Sequence, residues 1–253
     1  MSYYDLSKLE REKLNKRIHD EILTDIQNNE SDKILKYFSD EDTYIRKAGY
    51  LAIRDIIKNK ELKVDLVIPE LVKIKNNDNE LVRQTVVNAL GEIGIFQPDQ
   101  VMAYIEEAMF DEHHKVRNAV IGTLKKIGEK QPKPVLKFAR KFIHHEDPEV
   151  RRQIIHGIEL HGRKNPKDIL PILRELQYDD VARVRNMVVH VIGQISYKPG
   201  TLNIVLNDLQ NWENKEIVIK TLADITEVHG RYEKFSEHSQ EEVKKIIKSK
   251  FKF

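Results

Sequence analysis

The chain of 253 residues has no cysteine, a single tryptophan and only ten glycines. The lack of cysteine excludes disulfide bonds, zinc sites built from thiolates and a cysteine nucleophile. No run approaches the roughly 18 consecutive apolar residues of a membrane-spanning helix. The charged N-terminal sequence MSYYDLSKLEREKLNKRIHDEI lacks the apolar core of a secretory signal. We therefore expect a cytoplasmic protein with no membrane partner.

An excess of charge of one sign is also missing. Lys and Arg total 43 against 41 Asp and Glu, which leaves a net charge of +2. A protein dedicated to nucleic acid usually shows a more one-sided or more clustered charge. Apolar residues make up 40% and charged residues 33% of the chain. This balance allows a real core together with a large wetted surface, as in arrays of thin repeats.

An internal repeat dominates the sequence. The copies read EDTYIRKAGYLAI from Glu41, NELVRQTVVNAL from Asn79, HHKVRNAVIGTL from His113, DPEVRRQIIHGI from Asp147 and VARVRNMVVHVI from Val181. The hydrophobic residue before the arginine, here called the repeat hydrophobe, recurs after steps of 37, 34, 34 and 34 residues. A sixth copy has its repeat hydrophobe at Val218, and Ile219 stands where the others have arginine. Repeats of this length are typical of helical arrays.

Each copy follows a second apolar segment, and the two segments form a helical hairpin. Both have apolar residues at i, i+3, i+4 and i+7, which is the period of a helix. Prolines favour the first helical turn, and several open the first segment: Pro98, Pro132, Pro166 and Pro199. Glycines close the second and predict C-terminal stops: Gly94, Gly128, Gly162 and Gly230. The unit is predicted to be helix A, turn, helix B, turn.

At this point the sequence resembles the HEAT-repeat family. The matching residues are D-P-E-V-R at 147–151, A-L-G-E-I-G at 89–94, and Pro69 and Pro171, each 13 residues before its repeat valine. The resemblance implies an all-α, right-handed α-solenoid of about six repeats in a single domain, 1–253. We expect a helical cap over 1–30, repeats over 31–230, and a closing helix with a basic tail over 231–253. Such a fold serves many tasks and does not itself name one.

The recurrent arginine falls between the apolar columns of helix B on a helical wheel. A buried guanidinium needs a partner, and acids in the A–B turns could supply one. The sequence favours an Arg–Asp ladder that fixes the stacking of repeats. The alternative interpretation is a row of arginines that bind phosphate. The ladder comprises Arg46, Arg83, Arg117, Arg151, Arg185, Asp42, Asp78, Asp111, Asp147 and Asp180.

The opposite side of helix B is polar and mildly basic, and in a solenoid it would line the concave surface. Its candidate binding residues are Lys47, Arg54, Asn88, Asn118, Lys125, Lys126, Arg152, His156, Arg163, Asn186 and His190. His156 and His190 occupy equivalent positions on adjacent repeats, where they could share a metal or an anion. We favour two exposed histidines, and we expect no metal and no cofactor.

Signatures of catalysis are largely missing. The sequence has no H-E-x-x-H, Walker A or G-x-S-x-G motif. HEAT-like metalloenzymes of the deoxyhypusine hydroxylase kind carry His-Glu pairs at the start of helix B. Arg152-Gln153 and Asn186-Met187 stand at those positions here, so that resemblance fails at its ligands.

A weaker resemblance is to HEAT-like alkylpurine DNA glycosylases, in the segment VRNAVIGTLKKIGEKQPKPVLKFARKFI. It implies duplex DNA bound on the concave face by Lys and Arg, with a carboxylate and tryptophans at the damaged nucleotide. Here the sole tryptophan, Trp212, is predicted in a turn, and the inner acids Asp55, Glu92 and Glu159 have no tryptophan beside them. We therefore expect a non-catalytic scaffold for a protein partner. The alternative is nucleic-acid binding through Lys47, Arg54, Lys125, Lys126, Arg152 and Arg163, which includes a DNA alkylation-repair protein similar to the alkylpurine glycosylases.

Overall fold

The computed structural model describes residues 2–252, and every regular element within that range is helical. Six hairpins of a helix A and a helix B follow one another, as the 34-residue period predicts. The expectation of an all-α protein assembled from α-solenoid repeats is confirmed. Met1 and Phe253, the outermost residues of the predicted cap and basic tail, lie outside the described residues.

The chain divides into two compact units, Met1–Gln131 and Pro132–Phe253, each with three hairpins. The first unit begins with α1 (Lys8–Asn28). Its hairpins are α2 (Asp32–Phe38) with α3 (Thr43–Lys58), α4 (Val64–Ile74) with α5 (Glu80–Gly94), and α6 (Met102–Ala108) with α7 (His114–Lys130). Short 3₁₀ turns cover Tyr3–Asp5 and Pro98–Gln100. The single domain over 1–253 stays a prediction.

The second unit begins directly with a hairpin, α8 (Pro132–Phe142) with α9 (Pro148–Gly157). A short helix, α10 (Glu159–Gly162), continues α9 after a break at Ile158. The next hairpins are α11 (Pro166–Arg174) with α12 (Ala182–Ser196), and α13 (Leu202–Leu209) with α14 (Lys215–Arg231). A 3₁₀ turn at Glu233–Phe235 leads to α15 (Gln240–Lys250), which packs on α14.

The turn between helix A and helix B is built in the same way in several hairpins. A side chain five residues before the repeat hydrophobe accepts a hydrogen bond from the backbone N–H two residues later. This side chain belongs to Asp40, Asn77, Asp111, His145 and Asp179. The residue at that N–H then caps helix B in four hairpins, as Asp42, Asn79, His113 and Asp147. Such local bonds satisfy amides that a helix start leaves free.

The core of each unit lies along the apolar columns of helix B. The column four residues after the repeat hydrophobe is buried, for example at Val86, Val120, Ile154 and Val188. The column eleven residues after it is filled by isoleucine in four hairpins and by His161 and His229 in the other two. Within the first unit α3 packs on α5 and α5 on α7, and within the second unit α9 packs on α12 and α12 on α14, so the B helices of each unit lie side by side.

Of the four glycines predicted as C-terminal stops, Gly94 and Gly162 are the last residues of α5 and α10. Gly128 and Gly230 lie inside α7 and α14, before the ends of those helices. A Cβ on Gly94 would overlap the side chain of Ile127, and one on Gly162 would overlap Ile169. Among the described glycines, the left-handed φ that favours glycine occurs at Gly200, with a value of +76°. None of these four glycines has a left-handed φ, and the missing side chains of Gly94 and Gly162 leave room for Ile127 and Ile169.

No helix within residues 2–252 combines the length and the apolar composition that crossing a membrane requires.

Candidate binding surface

The five recurrent arginines fasten the A–B turn of their own hairpins. Each Nη1 donates to the backbone carbonyl six residues earlier. The distances are 2.5 Å for Arg46, 2.9 Å for Arg83, 2.6 Å for Arg117 and 2.8 Å for Arg151, and Arg185 makes the same bond to Asp179. Four of them also reach the next carbonyl, five residues earlier. The arginine therefore closes the turn that precedes its helix.

Two arginines also bind a carboxylate in the following hairpin. Arg83 donates to both oxygens of Asp111, at 2.8 Å and 3.1 Å, and Arg151 donates to both oxygens of Asp179, at 2.7 Å and 2.9 Å. All four side chains are largely buried, and the Asp179 side chain is 3% exposed. Paired geometry of this kind is the strong form of an arginine–carboxylate contact.

The acids of the predicted ladder do not all pair with an arginine side chain, which corrects the expected pairing. Asp42 and Asp147 cap α3 and α9 and make no bond to an arginine side chain within the described residues. The backbone carbonyl of Asp78 accepts a hydrogen bond from Arg83 Nη1 at 3.0 Å. Asp180 touches Arg151 at 3.2 Å, but its side chain is 89% exposed. Asp111 and Asp179, five residues before their repeat hydrophobes, bind the arginine of the preceding hairpin. Asp42 and Asp147, three residues before theirs, cap the start of helix B.

The candidate residues of the first unit, here called the unit-1 face, are Lys47, Arg54, Asn88, Asn118, Lys125 and Lys126. Lys126 forms an ion pair with Glu92, and its Nζ lies 5.4 Å from the ring centre of Tyr50. These three side chains come from α7, α5 and α3, so they join the B helices of three hairpins. Arg54 pairs with the neighbouring Asp55 at 2.9 Å.

The other residues of the unit-1 face differ in their exposure. Lys47 and Asn118 are exposed, and Asn88 and Lys125 are half-buried. Lys47 also lines an open pocket of about 370 Å³ together with Arg11, Tyr4 and Tyr44. The sequence reasoning missed this pocket because α1 and the segment before it are outside the repeat.

The candidate residues of the second unit, here called the unit-2 face, are Arg152, His156, Arg163, Asn186 and His190. Arg152 donates to both oxygens of Glu149, at 2.9 Å and 2.6 Å. These bonds are the main reason that the pKa of Glu149 lies below its ordinary value. Asn186 is exposed. The histidine rings meet edge to face, with their centres 5.8 Å apart.

A buried carboxylate, Glu159, organises the unit-2 face. Its side chain is 2% exposed, and Oε1 accepts a hydrogen bond from Arg163 at 2.5 Å. The same Arg163 nitrogen donates to Gln194 on α12, and the guanidinium lies over the Tyr197 ring. His156 Nε2 approaches Oε2 of Glu159 to 3.2 Å, and His190 Nε2 approaches it to 4.0 Å. The sequence places Glu159 on a polar arc but does not reveal that it is buried.

Trp212 is a core residue. It is fully buried, and its indole N–H donates to Asp208 at 2.7 Å. It therefore does not lie on either face, in agreement with its predicted place in a turn. The inner acids Glu92 and Glu159 are held by cations and imidazoles, with no tryptophan near them.

Residues 68–141 match the family of HEAT repeats. The match spans helix A and helix B of the second and third hairpins and continues into α8. No curated protein matches the sequence.

Two solved structures from Streptococcus mutans resemble this chain. AlkD2 is 16% identical, with a TM-score of 0.58 over 78% of this chain and 97% of that one. The protein smu.31 from strain UA159 is also 16% identical, with a TM-score of 0.53 over 79% and 97%. At this identity the likeness concerns the fold alone, and at that level it confirms both family resemblances.

Proposed function

We propose that the chain is a non-catalytic binding protein and that its unit-1 and unit-2 faces take a protein partner. The observation that carries the proposal is that most cations of these faces are already neutralised by acids on the same surface. Lys126 is paired with Glu92, Arg54 with Asp55, Arg152 with Glu149 and Arg163 with Glu159.

Neutralised cations are poor ligands for a phosphate backbone. Proteins bind DNA largely because free Lys and Arg displace condensed counterions. A cation that first has to leave a carboxylate gains little, because the abandoned acid then repels the phosphates. Glu92 and Glu159 are 2% and 1% exposed, so each would also be left buried and without its cation. That cost is several times larger than the loss of an exposed ion pair.

The uncharged side chains on the same faces suit a protein partner. Asn118 and Asn186 are exposed, Asn88 is half-buried, and Gly122 leaves open space beside α7. Amides can both donate and accept hydrogen bonds, and the centres of protein interfaces are depleted in charge. The fold adds support, since helical repeats offer extended surfaces for binding.

Photo-cross-linking in cells tests the proposal. A photoreactive amino acid replaces Asn118 on the unit-1 face or Asn186 on the unit-2 face, and the exposed Lys137 on α8 serves as the control position. We expect a discrete protein adduct from at least one face position and none from Lys137. The purified partner should then bind the chain, with affinity reduced at least about tenfold by Asn118→Arg or Asn186→Arg and unchanged by Lys137→Ala.

Cross-linking from all three positions alike, or recovery of nucleic acid in place of protein, would contradict the proposal. The second outcome would favour the alternative, in which Lys47, Arg54, Lys125, Lys126, Arg152 and Arg163 contact phosphates. Variants of these cations would then weaken binding and reduce its dependence on salt.

A further inference from the structure

His156, Glu159 and His190 bring three potential metal ligands together in the second unit. One nitrogen of each imidazole and one oxygen of the carboxylate all lie within 4.8 Å of one another. Among the described residues, no other group of three or more His or acidic side chains has its ligand atoms this close together. The ligands come from three elements, α9, α10 and α12, so the folded unit and not a local loop holds them together.

The spacing is close to that of a zinc site. A tetrahedral Zn²⁺ with bonds of about 2.0–2.1 Å places its ligand atoms roughly 3.3 Å apart. Glu159 Oε2 lies 3.2 Å from His156 Nε2 and 4.0 Å from His190 Nε2. The second distance must shorten by less than 1 Å, which a small rotation of the His190 side chain, 42% exposed, can supply.

The carboxylate is already oriented for this role by its other oxygen. Arg163 binds Oε1 and is itself held by Gln194, so Oε2 remains directed at the two imidazoles. Outer contacts of this kind fix metal-binding carboxylates in known sites. The pairing also explains why a fully buried acid is tolerated, because the guanidinium offsets its charge.

The imidazole of His156 directs its Nε2 at the Glu159 carboxylate. Its Nδ1 is buried and has no hydrogen-bond partner within the described part of the chain. Its polar contact is made by Nε2, which faces Glu159. One cation could accept the lone pairs of both imidazoles and of the carboxylate at once, which no single proton can do.

We propose that His156, Glu159 and His190 bind one divalent transition-metal ion of the Zn²⁺ class. Two imidazoles and one carboxylate suit Zn²⁺ and its first-row neighbours better than Mg²⁺ or Ca²⁺, which prefer oxygen ligands. Three protein ligands leave a fourth position, and the exposed edge of His190 opens that position to solvent. Water or a donor atom from another molecule can occupy it. The proposal does not depend on the identity of the macromolecular partner.

Zinc binding is measured on the tag-free, full-length protein by competition with a chromogenic chelator at neutral pH. We expect one Zn²⁺ per chain, with the affinity lowered at least about tenfold in His156→Ala and in His190→Ala. The matched control is His144→Ala, because His144 is an exposed histidine 2.7 Å from Glu175, outside the cluster. Its affinity should stay within about twofold of the wild type.

A second readout separates coordination from loose adsorption. Co²⁺ in a four-coordinate site gives strong visible absorption, which we expect in the wild type and in His144→Ala but not in His190→Ala. Zn²⁺ should also raise the thermal midpoint of the wild type, since a ligand that binds the folded state stabilises it. His190 is half-exposed, so His190→Ala should fold even if His156→Ala does not, and circular dichroism checks this. Absence of stoichiometric binding, or equal binding by His190→Ala and the wild type, would overturn the proposal.

Discussion

The Arg151 guanidinium binds both oxygens of the Asp179 carboxylate, at 2.7 Å and 2.9 Å, across two consecutive hairpins of the second unit. The same guanidinium also donates to the carbonyls of His145 and Glu146 in its own turn. One side chain thus closes the turn before α9 and fastens it to the turn before α12. The equivalent pair in the first unit is Arg83 with Asp111.

Replacing Arg151 by alanine should destabilise the protein by about 3 kcal/mol. The Asp179 side chain is 3% exposed, so its charge would be left buried without a counterion. Urea unfolding followed by circular dichroism measures the free energy of unfolding. Arg183→Ala is the control, because that side chain is 57% exposed and lies 3.8 Å from its acid. It should cost no more than about 0.5 kcal/mol, and equal losses in the two variants would refute the role of the pair.

The Arg151–Asp179 pair should also give the protein a sensitivity to acid. Burial raises the pKa of Asp179, but the hydrogen bonds from Arg151 and the Val181 N–H outweigh it, and the pKa lies below its ordinary value. An acid whose pKa is lowered by folding stabilises the folded state above the ordinary value, about 3.9, and loses that effect as the pH falls toward the lower value.

The difference in free energy of unfolding between wild type and Asp179→Asn should therefore be largest near pH 6 and should shrink below about pH 4. Urea titrations at several pH values measure it. A difference that stays constant from pH 6 to pH 3 would show that the charge of Asp179 does not contribute.

His229 should make the protein less stable as the pH falls below neutrality. The side chain is fully buried, and burial lowers its pKa against the opposing hydrogen bond with the Ile225 carbonyl. The unfolded chain takes up a proton near the ordinary pKa of about 6.5 while the folded one does not, so stability present above that value is lost below it.

Between pH 7 and pH 5.5 the expected loss from His229 is on the order of 1 kcal/mol. His229→Leu should flatten this part of the stability profile, and His114→Ala, at an exposed histidine, should not. An unchanged slope in His229→Leu would mean that the group is protonated in the folded protein as well.

Two helical glycines should respond in opposite ways to alanine. A Cβ on Gly122 in α7 meets nothing within 4 Å, so Gly122→Ala should stabilise the protein by roughly 0.5–1 kcal/mol. A Cβ on Gly91 in α5 would lie 2.6 Å from Thr123 Oγ1, which is held by the Val87 carbonyl. Gly91→Ala should cost about 1–3 kcal/mol. Thermal unfolding measures both, and equal effects would contradict the packing described for these helices.

The sequence was sufficient to predict the hairpins because the 34-residue period repeats the same chemistry five or six times. It also predicted a recurrent arginine that lies among apolar columns. The acid that pairs with the arginine could not be chosen, since most A–B turns carry neighbouring acids, such as Asp179 beside Asp180. Which of them faces the preceding hairpin depends on the conformation of the turn, and a helical wheel describes only residues within a helix.

The buried state of Glu92 and Glu159 also lay beyond the reach of the sequence. Each acid falls on the polar arc of its own helix. Each is covered by a side chain of another element, Lys126 from the next hairpin over Glu92 and Gln194 with Arg163 near Glu159. The periodicity of one helix shows which way a residue points but not what a neighbour places over it. For the same reason the sequence favoured two exposed histidines where the structure groups His156 and His190 around a carboxylate.

The central claim is that acids on the unit-1 and unit-2 faces neutralise the cations that could otherwise bind phosphate. Fluorescence anisotropy with labelled duplex DNA at about 50 mM salt tests it most directly. We predict no saturable binding by the wild type, and measurable, salt-sensitive binding once Asp55→Asn and Glu149→Gln release Arg54 and Arg152. Tight binding of DNA by the wild type, lost in Lys126→Ala and Arg152→Ala, would contradict the claim.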